Sequence, residues 1–285
     1  MPTAILLALL LSRAPAADPP VVPSLPLDTL PAAARERVAA AYLRATAEPA
    51  SAEASGSVAM LLHSYDQFDL AESWYRRATR LDVAAYDWAY LLGVVQAERG
   101  RQEDAARSLR DAVEKRPRDV PARLRLADLL LARGDLDASA ALYDELLKEH
   151  PGLPQAHHGA GRIEAARGRA AAAAERFRRA TDLFAAYGAA YYALGLAYRD
   201  LARTDDARAA LQLYEAHRME APPLDDPVLT RVRQLKTGPL ARLAEGVRLG
   251  KDGDLEGARR EHEAALEADP SLAQAHANLI SIYGR

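Results

Sequence analysis

The chain has 285 residues, with 37 lysines and arginines against 40 aspartates and glutamates, a net charge of −3 and no cysteine. A near-neutral balance with no polybasic run argues against nucleic acid or an anionic membrane surface as the main partner. The missing thiols exclude disulfides, thiolate nucleophiles, covalent haem attachment, cysteine-based zinc sites and a lipid anchor on cysteine.

In chain order the first element is a short apolar run, Ala4 to Leu11, followed by Ala14, Pro15, Ala16 and Ala17 with small residues at alternate positions. This pattern resembles a secretory signal, so residues 1–17 are expected to be a signal peptide and the mature chain periplasmic or secreted. The absence of Lys or Arg ahead of the run, and Arg13 behind it, instead suit a cytoplasmic N-terminus. The run is shorter than the roughly 20 residues of a spanning helix, so no integral membrane segment is expected after signal removal. Residues 18–31 contain Pro19, Pro20, Pro23, Pro26 and Pro31 and predict an extended tether. Residues 32–51 become Ala-rich, with Val38, Tyr42 and Ala45 on one face. A lone helix of that length is marginal in water, so it is expected to pack as a cap on the helical unit that begins at residue 52.

From residue 52 two tracks of small residues run in phase. Ala59, Gly93, Ala127, Gly161 and Gly195 succeed one another at intervals of 34, and Gly246 comes 51 later. Ala71, Ala105, Ser139, Ala173, Ala207 and Ala258 keep the same intervals. Helices approach closely only where side chains are small, so the two tracks predict a stacked helix-turn-helix array. Five units occupy residues 52–218, an insertion with a short helix 219–238, and a sixth unit with the first helix of a seventh 239–285. The small residue of each first helix is expected to face Ala or Ser of the second. Gly100, Gly134, Gly168 and Gly253 are expected in left-handed helix caps, and Leu109, Tyr143, Phe177 and Leu211 as the larger core residues.

The insertion makes one interval 17 residues longer than the period and holds Pro222, Pro223, Asp225, Asp226 and Pro227. Val228, Leu229, Val232 and Leu235 then define one apolar helix face. The segment suits a patch over the joint between two sub-arrays, or a docking element or hinge. Asp225 and Asp226 bring too few oxygen donors for a calcium or magnesium loop. The seven histidines include no helical His-Glu-x-x-His pair, and no phosphate loop or nucleophile elbow occurs. No enzymatic activity, cofactor or metal is expected. At the far end Leu279, Ile280 and Tyr283 lie on the last helix, which fits a cap, the front part of a longer array, or a homodimer through that end.

Counted from Tyr86, the second unit carries Leu92 and Gly93, then Gly100, Ala105, Leu109, Ala112 and Pro117. This resembles the tetratricopeptide repeat, whose 34-residue unit has small residues at its eighth, twentieth and twenty-seventh places and a proline near its thirty-second. The resemblance implies an all-α, right-handed superhelical solenoid, and with the signal-like N-terminus the expected type is an exported bacterial one. It also implies a concave face lined by the second, fifth, ninth, twelfth and thirteenth places of the first helices. In this chain those places are Asp87, Tyr90, Val94 and Glu98, then Leu124 and Asp128, then His158 and Arg162, then Tyr192, Leu196, Arg199 and Asp200. The implied role is a non-catalytic scaffold for a protein, peptide or partner helix, or an accessory module of a larger enzyme or secretion system. Tyr90 and Tyr192 are expected as exposed aromatic anchors whose joint loss weakens binding without altering the melting curve. The Lys and Asn pattern that clamps a C-terminal carboxylate in some members is absent, with Ala193 where a polar side chain is needed.

Overall fold

The computed structural model describes residues 19–30, 32–251 and 253–284; the expected signal at 1–17 lies outside them. The described residues form fifteen α-helices, one 3-10 turn and no strand. Helix α1 (Ala32–Ala47) precedes five helix pairs: α2 (Ala52–Ser64) with α3 (Phe68–Leu81), α4 (Tyr86–Glu98) with α5 (Gln102–Lys115), and α6 (Val120–Ala132) with α7 (Leu136–Glu149). The series continues with α8 (Pro154–Ala166) and α9 (Ala170–Leu183), then α10 (Gly188–Asp200) and α11 (Thr204–His217). The short α12 (Pro227–Gln234) leads to the pair α13 (Pro239–Lys251) and α14 (Leu255–Ala268), and then to α15 (Ala273–Tyr283). Each helix packs on its successor from α1 through α11, and first helices touch the first helix of the next unit from α4 to α10. This is an all-α solenoid of stacked helix pairs.

The small residues act as receptors for large ones. A Cβ built on Gly93 would stand 2.7 Å from Leu109 Cγ, and one on Gly161 2.6 Å from Phe177 Cε1. The expectation that small faces small holds where Ser139 Oγ donates to the carbonyl of Ala127 at 2.7 Å. At the glycines it is corrected, because removal of the side chain makes room for the larger residue of the second helix. Fully buried Trp74, Tyr75, Tyr143 and Phe177 fill the interior of the stack.

Gly100, Gly134, Gly168 and Gly253 have φ of 70°, 80°, 73° and 87°, the left-handed region that glycine enters without penalty. The same turn in units one and five is made by Asp66 at φ 61° and Ala202 at φ 56°. Sequence spacing alone did not flag these two, since neither is glycine.

Residues 19–30 are clamped to the first unit, so the stretch read as a tether is held down. The fully buried Arg77 donates from Nε to the carbonyls of Pro20 and Val21 at 3.1 and 3.3 Å. Its Nη1 reaches Ser55 Oγ and its Nη2 the Pro49 carbonyl, each at 2.5 Å. Val22, Leu25 and Leu27 pack onto the core of units one and two, and Leu30 is buried in it. A guanidinium with four oxygen partners can sit buried without a carboxylate. On α1, Val38 and Ala45 are fully buried, and Tyr42 meets the Trp74 ring edge-on at 5.8 Å.

The insertion runs backwards over the array. Its Glu220 carbonyl accepts from Gly188 N at the start of α10, and the carbonyls of Pro222 and Pro223 accept from Gln155 Nε2 on α8. Arg231 then pairs with Asp87 on α4, and the Leu235 carbonyl accepts from Arg37 Nη1 on α1 at 2.5 Å. Lys236 Nζ meets Asp66 at 2.9 Å, and Tyr65 OH lies 2.7 Å from Thr237 Oγ1. The segment therefore crosses the first helices from unit five to unit one. As a result α13 does not stack on α11; the sixth unit instead starts beside unit one.

Candidate ligand groove

The insertion divides the concave face into a covered half and an open half. In the covered half Val228, Leu229 and Val232 of α12 join the core of units one and two. Pro227 occupies the first turn, where no N–H is needed, and Asp226 caps it by accepting the Leu229 N–H at 3.0 Å. The other carboxylate oxygen of Asp226 accepts from Tyr90 OH at 2.5 Å and lies 3.5 Å from Arg125 Nη2. Arg125 Nε donates to the same Tyr90 oxygen at 2.7 Å. Asp226 is 4% exposed and Tyr90 fully buried. Burial, with Asp226 beside it, pushes the Tyr90 hydroxyl far above the usual tyrosine range. Burial works against the charge of Arg125, but Tyr90 and Asp226 hold its pKa above the ordinary value.

Three buried aliphatic side chains contribute about 1.5–3 kcal/mol each. Holding the backbone costs about 1–2 kcal/mol for each ordered residue. Apolar contact alone is therefore insufficient for an eight-residue helix, and the polar anchors around Asp226 and at both ends decide whether α12 stays.

The residues expected to line one groove separate accordingly. Asp87 and Tyr90 are bound by the insertion. Val94 and Glu98 face a different space, a cavity of about 920 Å³ between units one and two and the sixth unit, with His63, Phe68, Ala244 and Arg248 among its walls. Leu124 is buried with Ala127, Tyr143 and Ala156 in the core between units three and four. Its assignment to the groove is corrected: its side chain points between helices. The expectation of an exposed Tyr90 is corrected as well, since residues distant in sequence cover it.

His158, Arg162, Tyr192, Leu196 and Arg199 do come together, around an open cavity of about 920 Å³ on units four and five. Asp200 lines it too, with Leu131, the twelfth place of unit three, and with Phe177, Tyr214 and Arg218, three residues outside the counted places of the first helices. Phe177 and Tyr214 belong to second helices. The signal that could have found Tyr214 is its placement on α11, which no sixth unit covers. Tyr192 is 46% exposed, and its ring lies 5.2 Å from that of Tyr214.

Around the cavity the charges are arranged by local pairs. Arg162 Nη1 meets Asp128 Oδ1 at 2.8 Å, and Tyr143 OH donates to the same oxygen at 2.8 Å. Asp128 therefore anchors Arg162 at the rim. Arg199 lies 3.8 Å from its neighbour Asp200. The His158 ring sits 5.1 Å from Tyr187 and 5.7 Å from Phe177, with Tyr187 OH 3.3 Å from Nδ1. Burial, assisted by the Arg162 charge, lowers its pKa to about 4, so it is a neutral wall at pH 7. Its neighbour His157 points elsewhere, with Nε2 2.9 Å from the Pro151 carbonyl.

Nothing in the cavity assembles a nucleophile with a base, and no group of three or more potential metal ligands occurs among the described residues. No helix among them is long and apolar enough to cross a membrane. The geometry offers an apolar floor, two aromatic rings and guanidinium groups at the rim.

A tetratricopeptide-repeat family model matches residues 66–109 and 90–154, and a second one matches 188–214. Over those residues the chain carries tetratricopeptide repeats. Among solved structures, the tetratricopeptide protein YrrB, described as having an unusual peptide-binding site, aligns at 17% identity and a TM-score of 0.53, covering 69% of this chain and 99% of its own. MamA aligns at 17% identity and 0.53 over 61% of this chain and 97% of its own. The APC/C hetero-tetramer Cut9-Hcn1 aligns at 14% and 0.52 over 87% of this chain and 46% of that one. At these identities the likeness concerns the fold. No curated protein matches the sequence.

Proposed function

We propose that this tetratricopeptide-repeat chain is a non-catalytic, exported scaffold that holds a segment of another protein in the open half of its concave face. The observation that carries this reading is the exposed Tyr192 beside Tyr214 over the apolar floor of the unit four and five cavity. Exposed aromatics in a concave site supply large contact area at small entropy cost, and such residues dominate binding energies. Arg162, Arg199 and Arg218 outnumber Asp200 along the lining. The favoured ligand is thus an apolar or aromatic anchor with an acidic neighbour. The tetratricopeptide-repeat fold, and a neighbour described as peptide-binding, support the same class of ligand.

A photo-crosslinking side chain placed at the exposed Ala189 in the cavity wall tests the site. In extracts of the extracytoplasmic fraction it should give one discrete product, lost in the Tyr192→Ala, Tyr214→Ala double variant. A product that persists undiminished in that variant rules this cavity out as the binding site.

A further inference from the structure

The covered half of the concave face has its own ligand chemistry. Along it, residues 220–237 lie as a separate strand of chain across helices of units five to one, held at successive points by Gly188, Gln155, Arg125 with Tyr90, Asp87 and Tyr65. The central anchor is a carboxylate, seated between a tyrosine hydroxyl and a guanidinium that both belong to the array. Two and three residues later come Val228 and Leu229, and six later Val232, all buried against the array. The polar Thr230, Arg231 and Arg233 of the same helix are exposed.

Two features make the segment separable from its seat. The stack from α1 to α11 is built by direct contact between successive helices, with α12 in none of those contacts. The stretches on either side of α12, at 219–226 and 236–238, are non-helical, so α12 can leave without unwinding a neighbour. Its departure would uncover Tyr90, Val94 and Arg125, an apolar surface with a carboxylate seat that water alone would not satisfy well.

We propose that the concave face of units one to three is a receptor for a segment of another protein that begins a short helix with an acidic residue and carries apolar side chains two, three and six places later. Residues 221–237 are a displaceable internal copy of that ligand, and they close the receptor until the partner competes. This rests on the reading of the concave face as the ligand face, but concerns a different half of it from the open cavity. Arg218, which lines the open cavity, lies two residues before Glu220. A ligand there would touch the root of the closing segment.

The test uses a fluorescent synthetic peptide of residues 221–237 and two forms of the full chain, the native one and one with residues 224–236 replaced by a Gly-Ser stretch of equal length. The replaced chain should bind the peptide at least tenfold more tightly than the native chain does. A peptide carrying Asp226→Asn should lose at least tenfold. Adding Tyr192→Ala and Tyr214→Ala to the replaced chain should leave peptide affinity unchanged, so failure at the open cavity and failure here read out separately. A replaced chain of native helical content that does not bind the peptide overturns the proposal. If that chain does not fold, native-state hydrogen exchange decides: α12 amides exchanging at least tenfold faster than those of α4 support displacement, and equal protection in the two helices overturns it.

Discussion

The hydroxyl of Tyr90 donates to the carboxylate of Asp226 at 2.5 Å, although 136 positions separate the two residues. Because Arg125 Nε donates to the same hydroxyl, the tyrosine relays charge between a guanidinium and a carboxylate in a buried setting. Tyr90→Phe keeps the ring and removes both bonds, which should cost about 1–3 kcal/mol in urea unfolding. Asp226→Ala should cost about 1 kcal/mol more, because it also removes the cap on α12. A double-mutant cycle of Tyr90→Phe with Asp226→Asn should show coupling of about 0.5–3 kcal/mol; strict additivity would contradict the relay.

Ala202 carries a backbone conformation that a glycine occupies in the corresponding turns of units two, three and four. A left-handed L-residue is strained by about 1–2 kcal/mol, partly offset by the greater unfolded-state freedom of glycine. Ala202→Gly should therefore raise stability by about 0.5–1 kcal/mol. Gly134→Ala should lower it by about 1 kcal/mol, and for conformational reasons alone, since a Cβ there meets nothing within 4 Å. Thermal melts followed by circular dichroism would show shifts of opposite sign.

The tracks of small residues made the repeat architecture legible because each unit contacts only its neighbours, so local period and three-dimensional stacking carry the same information. The apolar face of α12 was legible too, from Val228, Leu229 and Val232. What that face covers was not, because it depends on contacts between residues more than a hundred positions apart. Tyr90 shows the consequence: its place in the unit marks it as concave, and it is concave, but a segment outside the repeat pattern buries it. In units four and five the segment meets only the starts of the first helices, at Gly188 and Gln155, and His158, Arg162, Tyr192, Leu196 and Arg199 lie around one open cavity. Tyr214 escaped notice because second helices are normally covered by the next unit, which here lies elsewhere.

Arg77 ties residues 20 and 21 to Pro49 and Ser55, which makes it the link between the N-terminal stretch and the first unit. Arg77→Ala leaves those oxygens without a donor and opens a void, for an expected loss of about 2–4 kcal/mol. Arg77→Lys should restore only part of that, because an ammonium cannot span four oxygens set out for a guanidinium. Limited proteolysis should cut within residues 19–30 faster in both variants. Unchanged cleavage would show that the apolar contacts of Val22, Leu25 and Leu27 suffice without the arginine.

Acid should weaken the fold earlier than carboxylate protonation requires. Burial lowers the pKa of both His63 and His158 to about 4, against the Asp66 charge at His63 and with Arg162 acting in the same direction at His158. Both lie below the unfolded value of about 6.5. Between pH 6.5 and 4 the unfolded chain holds protons that the folded chain lacks, so their contribution is fully present above pH 6.5 and declines as pH falls towards 4. Each site accounts for at most about 3 kcal/mol of that decline. Glu72 has its pKa held below the glutamate value, against the effect of its burial, by hydrogen bonds from Arg76, Gln96 and Arg99. Its contribution is lost only at lower pH. His158→Phe should flatten the slope of stability between pH 6.5 and 4, and adding His63→Phe should flatten it further. A slope unchanged in the double variant would place the acid sensitivity on other groups.

Tyr90 and Tyr192, both expected as anchors from their places in the repeat, should behave oppositely. Tyr90 is fully buried and bonded at both ends of its hydroxyl, so Tyr90→Ala should cost about 3–5 kcal/mol by cavity formation, like other large-to-small changes in a core. Tyr192 is 46% exposed, with Tyr214 as its one ring neighbour among the described residues, so Tyr192→Ala should stay within about 0.5 kcal/mol of the native chain. The joint substitution cannot leave the melting curve intact, and it would confuse lost binding with lost structure. The informative pair is Tyr192→Ala with Tyr214→Ala, which empties the open cavity of its aromatic surface and leaves the buried stack of Trp74, Tyr75, Tyr143 and Phe177 in place. Equal urea midpoints for that pair and the native chain, beside a lowered midpoint for Tyr90→Ala, would separate the exposed half of the concave face from the half that the chain covers itself.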